Sequence, residues 1–359
     1  MQVVYSRQEL DDYLARNYGL AGHLGIDLHE APLLIDRFLE SAIEADVDAV
    51  FDGAELLIGG IMEHVEEAGV HSGDSACVVP PPTISPEAQR HMVTATRALA
   101  EALDVRGLIN IQYAVKGEEV LVLEANPRAS RTIPFISKAS GIPLAKVAAR
   151  VMMGTTLAEL RREGLLIEEA PLRFVAVKQP VLPWERFPEE DTVLGPEMKA
   201  TGEVMGIAQD IGTAYAKALL SSGHVIPEEG VVFLSLADRD KPVGLAVAQA
   251  FTMLGFRLMA TAGTARYLAH HGVVTEPVAK VGEGDDHSAA RIESGKVALV
   301  VNTPQGRRAR SDGSLIRAAS RRRGIPCITT VPGALAVARS LQADRDGTYR
   351  VRSLQEWRR

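Results

Sequence analysis

Two α/β units in series are the fold this sequence predicts: an α+β unit to about residue 154, then a parallel-sheet unit over 223–359, joined by a connecting region over 155–222. Three observations carry that prediction. Asp52-Gly53, a dipeptide favoured in tight turns, separates the apolar runs Val47 to Phe51 and Leu56 to Ile61, as in an antiparallel hairpin. Beyond Ser222-Gly223, strand-like runs alternate with helix-like ones, the pattern of a parallel sheet. Between the two units, Pro171, Pro180, Pro183, Pro188 and Pro196 cut the chain into short apolar pieces.

Each element follows from local chemistry. Ser85 is an N-cap with Pro86 at the first helical position, and Met92, Leu99 and Leu103 share a face of the helix that follows, with Gly107 expected to stop it. Gln112 to Arg128 reads as two adjoining strands. A helix is expected from Pro143 to near Gly154, again with proline first and glycine after. In the second unit Val231 to Leu236, Phe256 to Thr261, Val297 to Thr303 and Cys327 to Thr330 read as strands, with a helix over Val243 to Leu254. There is no internal repeat and no low-complexity tract.

Composition narrows the function classes. The 359 residues carry a net charge of -7 and are 46% hydrophobic, with no apolar run long enough to cross a bilayer. An acidic chain is a poor nucleic-acid binder. The N-terminus has no basic segment followed by an apolar core, so no secretory signal is expected and the location is expected to be cytoplasmic. Cys77 and Cys327 have apolar or small neighbours and suit buried thiols rather than a disulfide framework.

The most informative stretch ends the first unit. Glu124 and Asn126 are two apart, so in a strand both project from one face, where carboxylate and amide oxygens suit a hard cation such as Mg²⁺ with nucleotide phosphates. Pro127 ends the ladder, and Arg128 follows with a fork suited to phosphate or carboxylate. An amphipathic hairpin with solvated Gln112, Glu124 and Asn126 has the same spacing. For Gln112 and Glu124 to share a cation they must face the same side, which requires an odd loop such as Gly117-Glu118-Glu119, or a bulge.

Gly69-Val70-His71-Ser72-Gly73-Asp74 combines glycines, a hydroxyl and an imidazole in a loop fit to lie against a nucleotide, or to be a plain polar turn. In the second unit Thr261-Ala262-Gly263-Thr264 sits where a strand passes into a helix, as an anion cradle or a helix cap. Asn302-Thr303 and Thr329-Thr330 also fall at strand ends, the edge where open parallel sheets bind ligands. Lys241 and Lys280 read as solvated lysines. Arg321 to Arg323 offset a helix C-terminus, while Arg307, Arg308 and Arg310 read as a loop open to a phosphorylated ligand or to solvent. His270, His271 and His287 lack metal-ligand spacing.

Glu124 to Phe135 (Glu-Ala-Asn-Pro-Arg-Ala-Ser-Arg-Thr-Ile-Pro-Phe) and Gly59 to Ala76 together resemble the carbamoyl-phosphate synthetase large chain, over essentially the whole sequence and about the last third of that subunit. The resemblance implies part of an ATP-grasp α+β domain, the second of two such units, followed by a Rossmann-like three-layer domain of the methylglyoxal-synthase-like kind. It implies a ligase that uses ATP to phosphorylate carbamate to carbamoyl phosphate in arginine and pyrimidine biosynthesis. Arg37, Leu39 and Glu44 would line the nucleotide pocket with Gly69, Val70, His71 and Ser72. Gln112, Glu124 and Asn126 would hold Mg²⁺ or Mn²⁺, and Arg128 would face the reacting groups.

Lys241, Thr261, Thr264, Lys280, Asn302 and Asp312 match effector-binding positions. No Gly-Gly-Asp segment supplies the carboxylate of methylglyoxal synthase, so binding without chemistry is expected there, and Pro304 stands where a threonine is the pattern. Partners implied are the preceding part of the large chain, a glutamine amidotransferase small subunit and a nucleotide or other small effector. Met1 matches a position inside the ATP-grasp unit, so the glycine-rich lid is expected to be supplied elsewhere and the isolated chain to be inactive. The alternative is a catalytically incomplete regulatory module that binds a phosphorylated effector. A different ATP-grasp ligase would leave Gly59 to Ala76 and the attached domain unexplained.

Overall fold

The computed structural model describes residues 4, 6–24, 34–37, 39, 42–66, 68–166, 172–186, 194–279, 286–303, 306–345 and 350–358. The chain divides into two compact units, Met1–Ser41 and Ala42–Arg359. The first contains helix α1 (Arg7–Leu24).

The second begins with a seven-stranded antiparallel sheet: β1 (Ile43–Phe51), β2 (Leu56–His64), β3 (Cys77–Val79), β4 (Gly107–Lys116), β5 (Glu119–Asn126), β6 (Val175–Val181) and β7 (Gly202–Ala208), in the order β5-β4-β1-β2-β3-β6-β7. The Asp52 hairpin forms, with a four-residue loop in which the Asp52 carboxylate accepts from the amides of Ala54 and Glu55 at 2.9 and 2.7 Å. On one face, Ala45, Val47, Ala49 and Phe51 of β1 and Ile109, Ile111, Tyr113 and Val115 of β4 pack against α2 (Pro86–Ala102). The other face receives α3 (Ile133–Ser140) and α4 (Leu144–Met152), with α5 (Leu157–Arg162) beside them.

The register of β1 on both neighbours means that one face of this strand is apolar and the other carries Glu44, Asp46 and Asp48. Ser85 caps α2 through the Ala88 amide at 3.0 Å. Gly107 does not stop that helix. It ends at Ala102, the reversal falls on Asp104 (φ 45), and Gly107 (φ 117) opens β4.

The stretch 155–222 is more than a linker. It holds α5, β6 and β7, which extend the first sheet, and α6 (Ile211–Ser221), which packs on both of those strands. Beyond it a five-stranded parallel sheet runs β10-β9-β8-β11-β12, from β8 (Val231–Ser235), β9 (Arg257–Thr261), β10 (Glu276–Val278), β11 (Leu299–Asn302) and β12 (Cys327–Ile328). One face takes α6, α7 (Lys241–Met253), α8 (Ala262–His270) and α11 (Val331–Arg345), and the other takes α9 (Ser288–Glu293) and α10 (Gly306–Arg322). These are the three layers expected. A short helix, α12 (Leu354–Trp357), ends the chain. Arg307, Arg308 and Arg310 belong to the first turns of α10 rather than to a loop, and their side chains lie outside the described residues.

Candidate functional site

The polar face of the antiparallel sheet gathers side chains from β1, β4 and β5. On β1, Glu44, Asp46 and Asp48 alternate with Ala45 and Val47, and all three carboxylates are buried. Their cross-strand partners on β4 are Ala114, Gln112 and Asn110, and those of Asn110 and Gln112 on β5 are Asn126 and Glu124. Gln112 and Glu124 therefore face the same side. The loop between β4 and β5 is the two-residue Gly117-Glu118, and a bulge at Leu123 restores the phase that an even loop would have lost.

At the end of β5 the polar groups are already joined. Asn126 Nδ2 donates to Glu124 Oε1 at 2.6 Å, and Arg128 Nη2 donates to Asn126 Oδ1 at 3.2 Å. Glu124 is exposed, on the edge strand. Gln112 Nε2 donates to Ser72 Oγ at 2.8 Å, which ties the 69–74 loop to the sheet. That loop is held from every side. The Gly69 amide donates to Glu44 at 3.1 Å, Lys178 Nζ donates to the Ser72 carbonyl at 2.9 Å, and Asp74 accepts from the amides of Lys199 and Ala200, each at 2.7 Å. His71 accepts from the Gly73 amide at 3.0 Å. Val70 completes the loop between them.

Burial dominates the electrostatics. It raises the Glu44 pKa, with His64 opposing, and it pushes Glu66 up to about 7 against the Ala76 amide that donates to it. His64 lies 3.3 Å from Asp46 and 3.9 Å from Glu44. Burial works against its charged form, but the neighbouring Cys77 and Asp46 outweigh it and its pKa is raised. Among the described residues no three His, Cys, Asp or Glu side chains are grouped to hold a metal ion. Gln112, Glu124 and Asn126 are a mixed amide and carboxylate set of hard oxygen donors, the chemistry Mg²⁺ or Mn²⁺ accepts.

Arg37, exposed, and Leu39, half-buried, belong to the first compact unit. Asp46, Asp48, His64 and Lys178 were not singled out from sequence, although the alternation Glu44-Ala45-Asp46-Val47-Asp48 is a visible period-2 signal.

In the parallel sheet, the polar ends of β9 and β11 are each tied to the end of β8. Thr264 Oγ1 accepts from the Leu236 amide at 3.1 Å and from Thr261 Oγ1 at 3.2 Å, and Thr303 Oγ1 accepts from the Ala237 amide at 3.0 Å. Asn302 Oδ1 accepts from the buried Arg317 at 3.0 Å. Lys241 reaches the same edge, pairing with Asp238 and lying near Gly263. Thr330 caps α11 through the Gly333 amide. Lys280, Pro304 and the Asp312 side chain lie outside the described residues. His287 caps α9, and His271 bonds the Tyr267 carbonyl.

Residues 1–160 match the family described as "Carbamoyl-phosphate synthase L chain, ATP binding domain", and residues 244–329 match "MGS-like domain". A protein of Aquifex aeolicus, "Carbamoyl phosphate synthase large chain, C-terminal section", is 48% identical over 355 residues, covering 96% of this chain and 65% of that one. "Carbamoyl phosphate synthase large chain" of Methanosarcina barkeri is 47% identical over 358 residues, covering 99% of this chain and 87% of the relative. The Archaeoglobus fulgidus protein of the same name is 49% identical, but this chain spans 32% of its length. A biotin carboxylase domain of a single-chain bacterial carboxylase superposes with a TM-score of 0.42 at 18% identity, over 57% of this chain and 61% of that one.

Proposed function

The chain belongs to the carbamoyl phosphate synthase large-chain family, and from that premise we propose that it serves as the C-terminal portion of such a large chain. In this reading it works with the preceding part of the chain and a glutamine amidotransferase small subunit, in the cytoplasm, to phosphorylate carbamate for arginine and pyrimidine biosynthesis. Residues 1–154 carry nucleotide contacts, 155–222 connect the two units while extending the first sheet, and 223–359 bind an effector.

The observation that supports this reading is the bulge at Leu123, which sets Gln112 opposite Glu124 while Gln112 also holds Ser72. Loop, metal-donor set and strand end thereby form one connected surface. A bound Mg²⁺ or Mn²⁺ would neutralise charge on the nucleotide phosphates. Gln112, Glu124 and Asn126 would hold it, with Glu44 and the 69–72 loop around the nucleotide. Arg128, steadied by Asn126, offers its guanidinium to the acceptor or the transferring group.

The test is Glu124→Gln in the synthase assembled from this chain and its partners. One negative oxygen donor is lost with little change of shape, so carbamoyl phosphate synthesis should fall by orders of magnitude while the melting temperature holds. Near-normal synthesis would sink the assignment.

The strand ends at Thr261, Thr264, Asn302 and Thr303 support effector binding by the same chain. Isothermal titration with Mg-ATP, a uridine nucleotide and an inosine nucleotide should give a saturable, salt-sensitive isotherm for the phosphorylated effector, weakened by Thr264→Ala combined with Lys280→Ala. An isotherm without any carbamate-dependent turnover in the assembled enzyme would favour the purely regulatory reading.

A further inference from the structure

Asp48 sits mid-sheet on β1, between β2 and β4, with none of its surface exposed. A carboxylate in such a place is costly unless its oxygens are fully engaged. They are. Oδ1 accepts from Asn110 Nδ2 at 2.9 Å and from Ser130 Oγ at 2.7 Å, and Oδ2 accepts from Thr132 Oγ1 at 2.5 Å. Ser130 and Thr132 are themselves linked at 2.8 Å.

Two of these donors come from one place. Ser130 and Thr132 lie in the segment that runs from the end of β5 at Asn126 to the start of α3 at Ile133, and this segment is neither strand nor helix. Its own backbone supplies the Arg128 amide bond to the Asn126 carbonyl at 2.8 Å. The third donor, Asn110, is the cross-strand partner of both Asp48 and Asn126. Asp48 thus grips the strand end from beneath and from beyond it.

We propose that Asp48 is a positioning residue that fixes the course of residues 126–132, and with it the aim of Asn126 and Arg128. It touches neither nucleotide nor acceptor, and acts through Ser130, Thr132 and Asn110. The inference rests on the phosphoryl-transfer reading for its catalytic consequence, but not for its structural one.

The experiment uses the assembled synthase with Asp48→Asn, Thr132→Val, Thr132→Ser and the pair Asp48→Asn/Thr132→Val. A small displacement of a reacting group costs rate more than affinity. We expect Asp48→Asn and Thr132→Val each to lower kcat by roughly tenfold to a hundredfold, with KM for Mg-ATP changed by less than about threefold and Thr132→Ser close to wild type. The double variant should be no worse than the weaker single, as for two parts of one device. Unchanged kcat in a folded Asp48→Asn enzyme, or equal impairment by Thr132→Ser and Thr132→Val in step with lowered melting temperature, overturns the proposal. If the wild-type assembly makes no carbamoyl phosphate, the functional reading fails and hydrogen exchange of the 359-residue chain decides this one. Amides 128–132 should then exchange at least about tenfold faster in Asp48→Asn while those of β1 do not change, and equal rates at 128–132 would overturn it.

Discussion

Carboxyl groups that are harder to ionise in the folded state than in the unfolded chain make stability fall as pH rises. Asp48 goes from 3.8 to about 6 and Glu66 from 4.5 to about 7, burial being the leading cause in both. The native state therefore binds protons more tightly than the unfolded one between about pH 4 and 7, and each group withdraws at most roughly 3 kcal/mol across its window. His64, with its raised pKa, acts in the same sense above its ordinary value of 6.5. Asp52 works the other way, since burial is outweighed by the amides of Glu55, Leu157 and Ala54 and its pKa is lowered, so its contribution is lost only below about 3.8. Thermal melts should show greatest stability near pH 4 to 5 and a decline toward pH 8. Asp48→Asn should flatten the lower part of that decline, and an unchanged slope would contradict the burial argument.

Close approach decides which elements can meet. A Cβ at Gly206 of β7 would lie 2.0 Å from the Ala214 carbonyl oxygen and 2.6 Å from the Ala218 nitrogen of α6, both backbone atoms. At Gly60 of β2 the near neighbours are side-chain atoms of Ile136, and the one in tight contact, Cδ1 at 2.7 Å, is the free end of that side chain. Gly206→Ala should thus cost about 3 kcal/mol or more and Gly60→Ala nearer 1, a difference readable in urea midpoints. These elements differ in how far the sequence announces them. The Asp52 hairpin, the Ser85 cap and the βα alternation after residue 223 were legible because turn chemistry and hydrophobic period agree there. β6 was not, because Val175-Ala176-Val177-Lys178-Gln179-Pro180-Val181 buries a lysine to bind the Ser72 carbonyl and includes a proline. The bulge at Leu123 was anticipated only as one of two ways to bring Gln112 and Glu124 together. Long-range partners such as Asp48 with Thr132, 84 residues apart, leave no local pattern.

The two sheets share a core. Val78 and Val177 of the antiparallel sheet lie in one hydrophobic cluster with Tyr215 and Leu219 of α6 and with Val232, Leu258 and Leu299 of the parallel sheet. The C-terminus makes a second link. After α11 the chain returns to the first sheet, where α12, closed by a Ser353–Glu356 capping box, sets Trp357 edge-on to Phe174 at 5.9 Å, with Lys217 and Arg352 over its ring at 5.6 and 5.2 Å. Arg358 donates to the carbonyls of Ser137 and Lys138 in the last turn of α3; the Ser137 carbonyl also accepts from the Gly141 amide, and the Lys138 carbonyl is of the kind that a helix end leaves open. That helix begins where the Asp48-held segment stops, so the tail of the C-terminal half bears on the element that follows Arg128. Because apolar burial is shared rather than divided, residues 42–359 should unfold as one cooperative unit. Trp357→Ala removes a half-buried ring and its cation contacts, and should lower the single melting transition by a few degrees, corresponding to about 1–2 kcal/mol. Calorimetry of the wild type and this variant checks both statements, since two resolved transitions in residues 42–359 of the wild type would show that the halves fold apart and that α12 is ornament rather than a joint.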